Sequence, residues 1–437
     1  MKKNYLHTSC ILGYLLLLSF GSKAQNTVFL NKGILQIKNQ TILSSYSNFI
    51  NDTKGYLIND GELYYHETFT NEGIFSFTKR LTSGKVSFLL ENAKNQVIQG
   101  NSSVEFNHIL FKSQQPKDYF FDLKSNIEIW GELDFNQGII KVDSTANDET
   151  KLTKGMISFM ENSSHTNASD LGFIEGQVEK IGAKEFVFPI GDKGILRPVK
   201  IGASGVNDNI FQAKYTLDDN EFFTKNAATS GVINQVNNRE YWIVLRGKGK
   251  AEKDIKLTLS WDDNTTPAAL LKDPEMELHI VRWDEKQQLW VDEGGVVDMS
   301  TKEVTTISTV KNYGYFTLAT VKKDWILDGN IVIYNLVTPN GDGKNDYFII
   351  DNINRYPNNR VEIYNRWGVR VYETTNYDSL GDGSSNVFTG YAEGKVKMDK
   401  GKKLPSGTYY YVITYEYKDD NGSRMIKKAA NLHLETN

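Results

Sequence analysis

The chain has 437 residues, 39% hydrophobic and 12% aromatic, with 50 Lys+Arg against 54 Asp+Glu and a formal charge of −4. That length exceeds one ordinary domain, and the apolar fraction is enough for buried cores, which excludes wholesale disorder. Only 8 prolines exclude a Pro-rich stalk, and a pI near 6.0 offers no basic face to nucleic acid.

At the start of the chain, Lys2 and Lys3 precede an apolar run from Ile11 to Phe20, and Ser22-Lys23-Ala24 places small residues at −3 and −1 before Gln25. The run is about half of what spans a bilayer, so residues 1–24 are predicted to be a secretory signal peptide cleaved between Ala24 and Gln25. Losing Lys2, Lys3 and Lys23 makes the mature chain three charges more negative. The one cysteine, Cys10, lies inside that leader and ahead of the apolar run. The mature chain is therefore expected to lack a lipid anchor, a disulfide, a thiolate nucleophile and a Cys-based metal site. No later segment reaches the uninterrupted apolar length of a membrane span, and no transmembrane segment is expected in the mature chain.

From residue 25 onward the pattern is alternation, as in Ile34-Leu35-Gln36-Ile37, Val86-Ser87-Phe88-Leu89 and Lys256-Leu257-Thr258-Leu259-Ser260, bounded by Gly, Asn and Asp turns. The whole chain reads as all-β. Residues 25–145 carry a weak repeat: Asn59-Asp60-Gly61-Glu62-Leu63 recurs as Asn71-Glu72-Gly73-Ile74-Phe75, and Gly131-Glu132-Leu133 echoes Gly61-Glu62-Leu63. A turn plus a short strand cannot bury its own apolar face, whereas stacked copies can. This predicts a β-solenoid-like region with asparagines stacked at its corners; ordinary hairpins with Asx-Gly turns are the alternative. Polar stretches between 144 and 170 separate it from residues 146–321, which read as a β-sandwich region. Trp242, Trp261, Trp283 and Trp290 fall there, either as packing residues or as platforms for sugar rings. Residues 322–330 read as a linker, and 331–437 as a last, small β-sandwich.

That last module carries the distinctive motifs. Thr338-Pro339-Asn340-Gly341-Asp342-Gly343-Lys344-Asn345-Asp346 is a turn-rich loop after the strand Ile331–Tyr334. Asn365-Arg366-Trp367-Gly368 is a turn at a strand end, with Trp367 expected to cap the core. Leu404-Pro405-Ser406-Gly407-Thr408-Tyr409 is a turn feeding an alternating strand. Gly341 and Gly343 allow positive φ in the first loop. In order and spacing, these motifs resemble the gliding-motility-associated C-terminal domain of Bacteroidetes surface proteins. Phe388-Thr389-Gly390 stands where that family often has a Trp-Asp-Gly-like turn, and Phe388 can fill the same apolar slot. Phe186-Val187-Phe188-Pro189-Ile190-Gly191-Asp192 with Arg197-Pro198, and Tyr313-Gly314-Tyr315-Phe316, are similar to stretches of adhesin-like modules that accompany such domains. The resemblance implies a sorting signal for type IX secretion, with the translocon and an outer-membrane partner of the PorP/SprF type as its readers. It further implies a product that is secreted or held at the cell surface in association with the outer membrane.

Candidate chemistry is sparse. Asn340, Asp342, Asn345 and Asp346 put four oxygen-bearing side chains within seven residues, which could hold Ca²⁺, the one cofactor considered. A hydrogen-bonded Asx-Gly turn explains the same residues, and Lys344 together with Asp351 departs from an EF-type loop. His66, His108, His165, His279 and His433 have no metal spacing, and no nucleophile elbow or phosphate loop occurs; Gly247 and Gly249 lack a third glycine. Asp262-Asp263 reads as a polar loop and not as a catalytic pair. No catalytic residue is assigned and no enzyme is expected. The expectation is an adhesin-like exported protein that binds a surface glycan or protein ligand, with a role in attachment or gliding motility. The alternative is a secreted carbohydrate-active enzyme or carbohydrate-binding protein bearing the same sorting domain.

Overall fold

The computed structural model describes residues 27–91, 93–142, 155–229, 232–247, 253–321, 326–327, 329–392, 401–419 and 422–436. The predicted leader with its Ala24–Gln25 cleavage site, most of the predicted linker, and Gly249 with its flanking lysines lie outside those residues.

The N-terminal part is a stack of short parallel strands in three columns, a β-solenoid of about six turns. One column runs Val28–Asn31, Asn48–Asn51, Phe69–Asn71, Asn95–Gln99, Phe120–Lys124, Ile139–Val142 and Ile174–Glu175. A second starts Ile34–Ile37, Tyr56–Asn59, Ile74–Ser76. A third starts Ile42–Ser45, Glu62–Tyr65, Lys85–Leu90. The longer strands Val104–Ser113 and Asn126–Asp134 each serve the second and third columns in turn, with a register shift after Phe106. Every strand in these columns sends alternate residues inward, so Phe49, Phe69, Phe88, Phe111 and Phe121 stack along the axis with ring centroids 4.9–5.9 Å apart.

The corners explain the repeat. Asn31 Nδ2 donates to Asn51 Oδ1 and Asn51 Nδ2 to Asn71 Oδ1, each at 2.8 Å, so the predicted asparagine ladder is present with a period of one coil. Asn59 is not on it. Asn59 closes a second-column strand and Asn71 a first-column strand of the next coil, and Asn59 instead receives Gly61 N–H at 3.2 Å and donates to Lys85 O at 3.0 Å. The glycines next to the ladder are set by contact distance: a Cβ on Gly55 would lie 2.1 Å from Asn51 Oδ1, and one on Gly73 would lie 2.3 Å from Gly55 O. Gly61-Glu62-Leu63 and Gly131-Glu132-Leu133 do share one column, three rungs apart.

The solenoid does not end at residue 145. Met156–Phe159, Ser164–Thr166, Ile174–Glu175 and Val178–Ile181 add further rungs. Polar connections between those strands hid them, because a loop of any length can leave a solenoid corner without disturbing the stack. The second column then passes into the central sandwich. Val178–Ile181 pairs antiparallel with Ile210–Leu217, which continues through Glu240–Arg246, Gly314–Val321, Leu278–Asp284 and Leu289–Gly294. The facing sheet is Phe186–Phe188, Val199–Ile201, Leu257–Ser260, Glu303–Thr305 and Val296–Asp298. Helix is confined to short pieces such as Asn220–Lys225 and Pro274–Glu277.

Two buried cations fasten this body. Lys180 Nζ donates to Met160 O at 2.5 Å and to Glu161 O at 3.1 Å, tying the last rung to the one before it, and burial lowers its pKa to about 8. Arg197 makes a two-pronged pair with Glu240 at 3.1 Å, and Glu240 also receives Tyr215 Oη at 2.7 Å, Asn237 Nδ2 and Thr266 Oγ1. Every lone pair of that buried carboxylate is thereby occupied, which is the condition under which burying it is tolerable. Trp242, Trp261, Trp283 and Trp290 are all core residues.

The C-terminal module joins a sheet of Leu336–Val337, Gly422–Leu434, Gly407–Asp419, Asn359–Tyr364 and Arg370–Thr375 to a small sheet of Ile326–Leu327, Ile331–Ile333 and Ile350–Asp351. Phe348, Tyr377, Phe388, Tyr411 and Leu432 lie in the core between them.

The ladder makes a stability prediction. Asn51→Ala strands Asn31 Nδ2 and Asn71 Oδ1 in the interior and should cost about 2–3 kcal/mol in thermal or denaturant unfolding. Asn48→Ala, three residues earlier in the same strand on its half-buried outer side, should change it by less than about 0.5 kcal/mol.

Candidate functional site

The loop after Leu336–Val337 is built by its own acidic side chains. Asp346 accepts Gly341 N–H through one oxygen and Gly343 N–H through the other, each at 2.7 Å, and these backbone bonds hold its carboxyl below the usual range. Asp342 accepts Lys344 N–H at 2.8 Å and Asn340 Nδ2 at 3.0 Å. Asn340 Oδ1 accepts Asp342 N–H at 3.1 Å, and Thr338 N–H reaches Asn345 O at 2.7 Å. Gly341 and Gly343 take φ of +80° and +84°, and Asn345 takes +51°, so three left-handed residues wind the chain around Asp346. Among the described residues no group of three or more His, Cys, Asp or Glu side chains converges as a metal site.

The second motif is a tight turn. Asn365 Oδ1 accepts Trp367 N–H at 3.1 Å and Val369 N–H at 3.0 Å, and Gly368 sits at φ +71°. Trp367 does not cap the core: it is 71% exposed, with the Arg366 guanidinium 4.4 Å from its ring centre. The reason is local. Once Asn365 folds the backbone back on itself, the residue at the tip projects outward, while Phe388 and Tyr372 pack together in the core. In the third motif, Pro405 O accepts Tyr409 Oη at 2.9 Å and Gly407 at φ +152° opens the long strand. The phenolic ring of Tyr409 is buried.

The module is not a free-standing tag. Its strand Gly422–Leu434 lies against Leu289–Gly294 of the central sandwich, and charged groups are closed inside the contact. Asp292, fully buried, accepts His279 Nδ1 at 2.8 Å, Gly294 N–H at 2.8 Å and, across the boundary, Ala429 N–H at 3.4 Å. Burial raises its pKa, but His279, Lys428 and Gly294 N–H outweigh that and hold it below the ordinary carboxylate value. Glu293 takes Arg282 Nε at 3.0 Å and also binds Lys427 of the C-terminal strand. Met425 N–H donates to Gln287 Oε1 at 3.0 Å. Ile307 of the sandwich packs with Tyr364, Val412 and Ala429 of the module. Gly294 turns away at φ +82°, where a Cβ would lie 2.9 Å from the Ala429 Cβ. Beside this contact opens a cleft of about 540 Å³ lined by Arg282, Glu293, Lys311, Arg360, Glu362 and Lys427 among others.

Sequence reasoning found the three loops and missed this interface. Its one legible sign is Lys427-Lys428 in a strand otherwise suited to a core, a pair with no obvious solvent side. His279 is held by a buried carboxylate, whereas the Nδ1 atoms of His66 and His165 are buried without a hydrogen-bond partner among the described residues. His165 bonds Val187 O at 2.7 Å, and burial lowers its pKa. Asp262 and Asp263 sit on a turn, Asp263 pairing with Lys302 at 2.7 Å.

Residues 331–429 match the family model of the CHU_C type IX secretion signal domain. No curated protein and no solved structure matches the chain.

Asp292→Asn should loosen the contact between module and sandwich by about 3 kcal/mol, because it removes the buried charge that His279 and Lys428 face. Amide exchange along Gly422–Leu434 reads that loosening. Because the folded pKa of Asp292 lies below the ordinary aspartate value of 3.8, its contribution is in full force above that pH and is lost only as the pH falls through the lower folded value.

Proposed function

Because residues 331–429 are a type IX secretion signal domain, we propose that this chain is export cargo whose body works outside the cell by contact, as an adhesin-like protein serving attachment. The C-terminal domain supports delivery through type IX secretion to the cell surface or extracellular space. Its readers in this proposal are the translocon and an outer-membrane partner of the PorP/SprF type. Among the described residues no helix is long and apolar enough to cross a membrane.

The adhesin reading is supported by the body's construction. One sheet runs from the second solenoid column into the sandwich, giving a stiff shaft with long outward faces, and such surfaces suit broad contact with a partner. The sandwich tryptophans give no support to glycan stacking, since all four are buried.

One observation favours the carbohydrate-active alternative. Glu105 and Glu128 are in register on neighbouring rungs, facing outward, and rung spacing is about 4.8 Å, close to the carboxyl separation used in retaining glycoside hydrolysis. Glu105 is bound by Ser76 and, at 3.0 Å, by Lys79, whose ammonium lies 3.6 Å from the Trp130 ring centre. Turnover of any polymer in a polysaccharide panel, abolished in Glu128→Gln, would replace the adhesin reading; an inert panel is expected.

The sorting role has a direct test. Removing residues 331–437 should leave the remainder in the periplasm, read by surface proteolysis and cell fractionation. Undiminished surface display of the truncated chain would end the proposal.

A further inference from the structure

The two ends of the solenoid are unlike. The last rung is covered by the sandwich, whereas among the described residues none covers the first. Among the described residues nineteen large apolar side chains are exposed, and seven of them fall between residues 28 and 56, so exposure is concentrated at one tip. Val28 and Leu30 point outward from the first column, Ile34 and Tyr56 from the second, and Ile42 from the third, with Ile34 83% and Ile42 69% exposed. Ile74 continues the Ile34–Tyr56 line on the next rung. The interior is open at the same end: Phe29 stacks on Phe49 at 5.0 Å and leaves its other side uncovered. Tyr46 projects beside them, stacked on His66 at 3.9 Å. Between residues 27 and 59 the charged residues are Lys32, Lys38 and Lys54 against Asp52, in a chain that is negative as a whole. All three lysines are exposed.

We propose that this tip seats in the surface of an anionic lipid bilayer, the apolar residues of all three columns entering the headgroup–acyl boundary and the lysines meeting lipid phosphates. Two other occupants fit less well. A second copy related by a two-fold axis would bring Lys32 and Lys38 towards their own counterparts. It would also set Asn31 Oδ1, the acceptor end of the ladder, against another acceptor. A partner strand added to the edge would cover the first rung and leave Tyr56 and Ile74 in water. A lipid surface surrounds the tip on every side. From Ile34 to Ile74 the apolar line spans two rung spacings, about 10 Å, which matches the depth reached by interfacial segments. Tyr46 and Tyr56 have the amphipathic rings favoured at that boundary. The first rung, level with Ile34, is then the deepest part, and those of its N–H and C=O groups that no described residue pairs take their hydrogen bonds from the water and lipid headgroups of that boundary.

Vesicle co-sedimentation of the full chain after leader removal tests this apart from export, so a failure here leaves the sorting role untouched. The chain should sediment with phosphatidylethanolamine vesicles containing about 30% phosphatidylglycerol and not with pure phosphatidylcholine. Ile34→Ser with Ile42→Ser should lower partition about tenfold or more while leaving circular dichroism unchanged. Removing Lys32 and Lys38 should cost about fivefold each, and about 0.5 M salt should do likewise. Equal recovery with and without anionic vesicles overturns the proposal, as does partition that neither double variant changes. A lipid-free dimer that dissolves in the Ile34→Ser, Ile42→Ser chain also overturns it, in favour of a second copy.

Discussion

The architecture depends on one constraint: a coil of three short strands has an apolar interior and two faces of unpaired backbone, and it can satisfy both only by lying in register on another coil. Each coil here does so through parallel pairing, with Phe49 over Phe69 and Asn51 between Asn31 and Asn71. The period of the ladder fixes the register, since a slip of one residue would move every phenylalanine to the solvent side and break every Asn–Asn bond at once. The stack must then be closed. At the C-terminal end closure is achieved by reversing strand direction, Ile210–Leu217 lying antiparallel on Val178–Ile181, so that the solenoid becomes the first sheet of a sandwich. A joint made of continuous sheet hydrogen bonds resists bending, unlike a linker, and Lys180 ties its own strand to the preceding rung through three carbonyl contacts.

Much of this was legible in the sequence, and the parts that were not share a cause. Alternation in Val86-Ser87-Phe88-Leu89 and turn chemistry at Asn71-Glu72-Gly73 are local signals, and they led to strands, corners and a stacked fold. Which corner sits above which is a long-range fact. Asn59 and Asn71 look like one repeat because both corners need Asx and Gly, yet the true translation is from Asn51 to Asn71. Likewise the rungs after residue 145 keep the inward residues Ile157 and Phe159, but polar connections break the pattern that a reader follows. Trp367 went wrong for the opposite reason: a large aromatic in a short turn suggests burial, while the Asn365 side chain dictates a tip that points outward. Asp292 and Lys428 stand 136 residues apart, and neither carries any local mark of the other.

The interface they form has a particular character. Apolar residues alone, Ile307 with Tyr364, Val412 and Ala429, would let the module slide or rotate on the sandwich, because dispersion contacts have little directional preference. The ions remove that freedom. Asp292 needs His279, Gly294 N–H and Ala429 N–H in fixed directions, and Glu293 must meet Arg282 on its own domain and Lys427 on the other. Buried ion pairs contribute modestly to net stability, since desolvation offsets most of their attraction, but a wrong orientation leaves a charge unpaired in the interior at a cost of about 3–5 kcal/mol. The geometry therefore selects one orientation of the C-terminal domain much more strongly than it glues the two parts together.

A fixed orientation has a consequence for recognition. Whatever reads residues 331–429 meets them as part of a rigid body, with the faces of Gly422–Leu434 and Val412 already turned against the sandwich. What remains outward is the Asp346-centred loop, the Trp367 tip with its stacked Arg366, and the turn at Pro405, which are the same three motifs that stand out in the sequence. Two of these are held by side chains accepting their own backbone N–H groups, Asp346 in one and Asn365 in the other, and in the third Tyr409 Oη closes on Pro405 O. Their shape therefore does not wait on a partner, and little conformational entropy is lost when one binds. Loops built this way serve recognition by form; the Trp367 turn stands at the edge of the contact with the sandwich, where Gly368 approaches Lys256, and a domain presenting such preformed loops is suited to being read after folding.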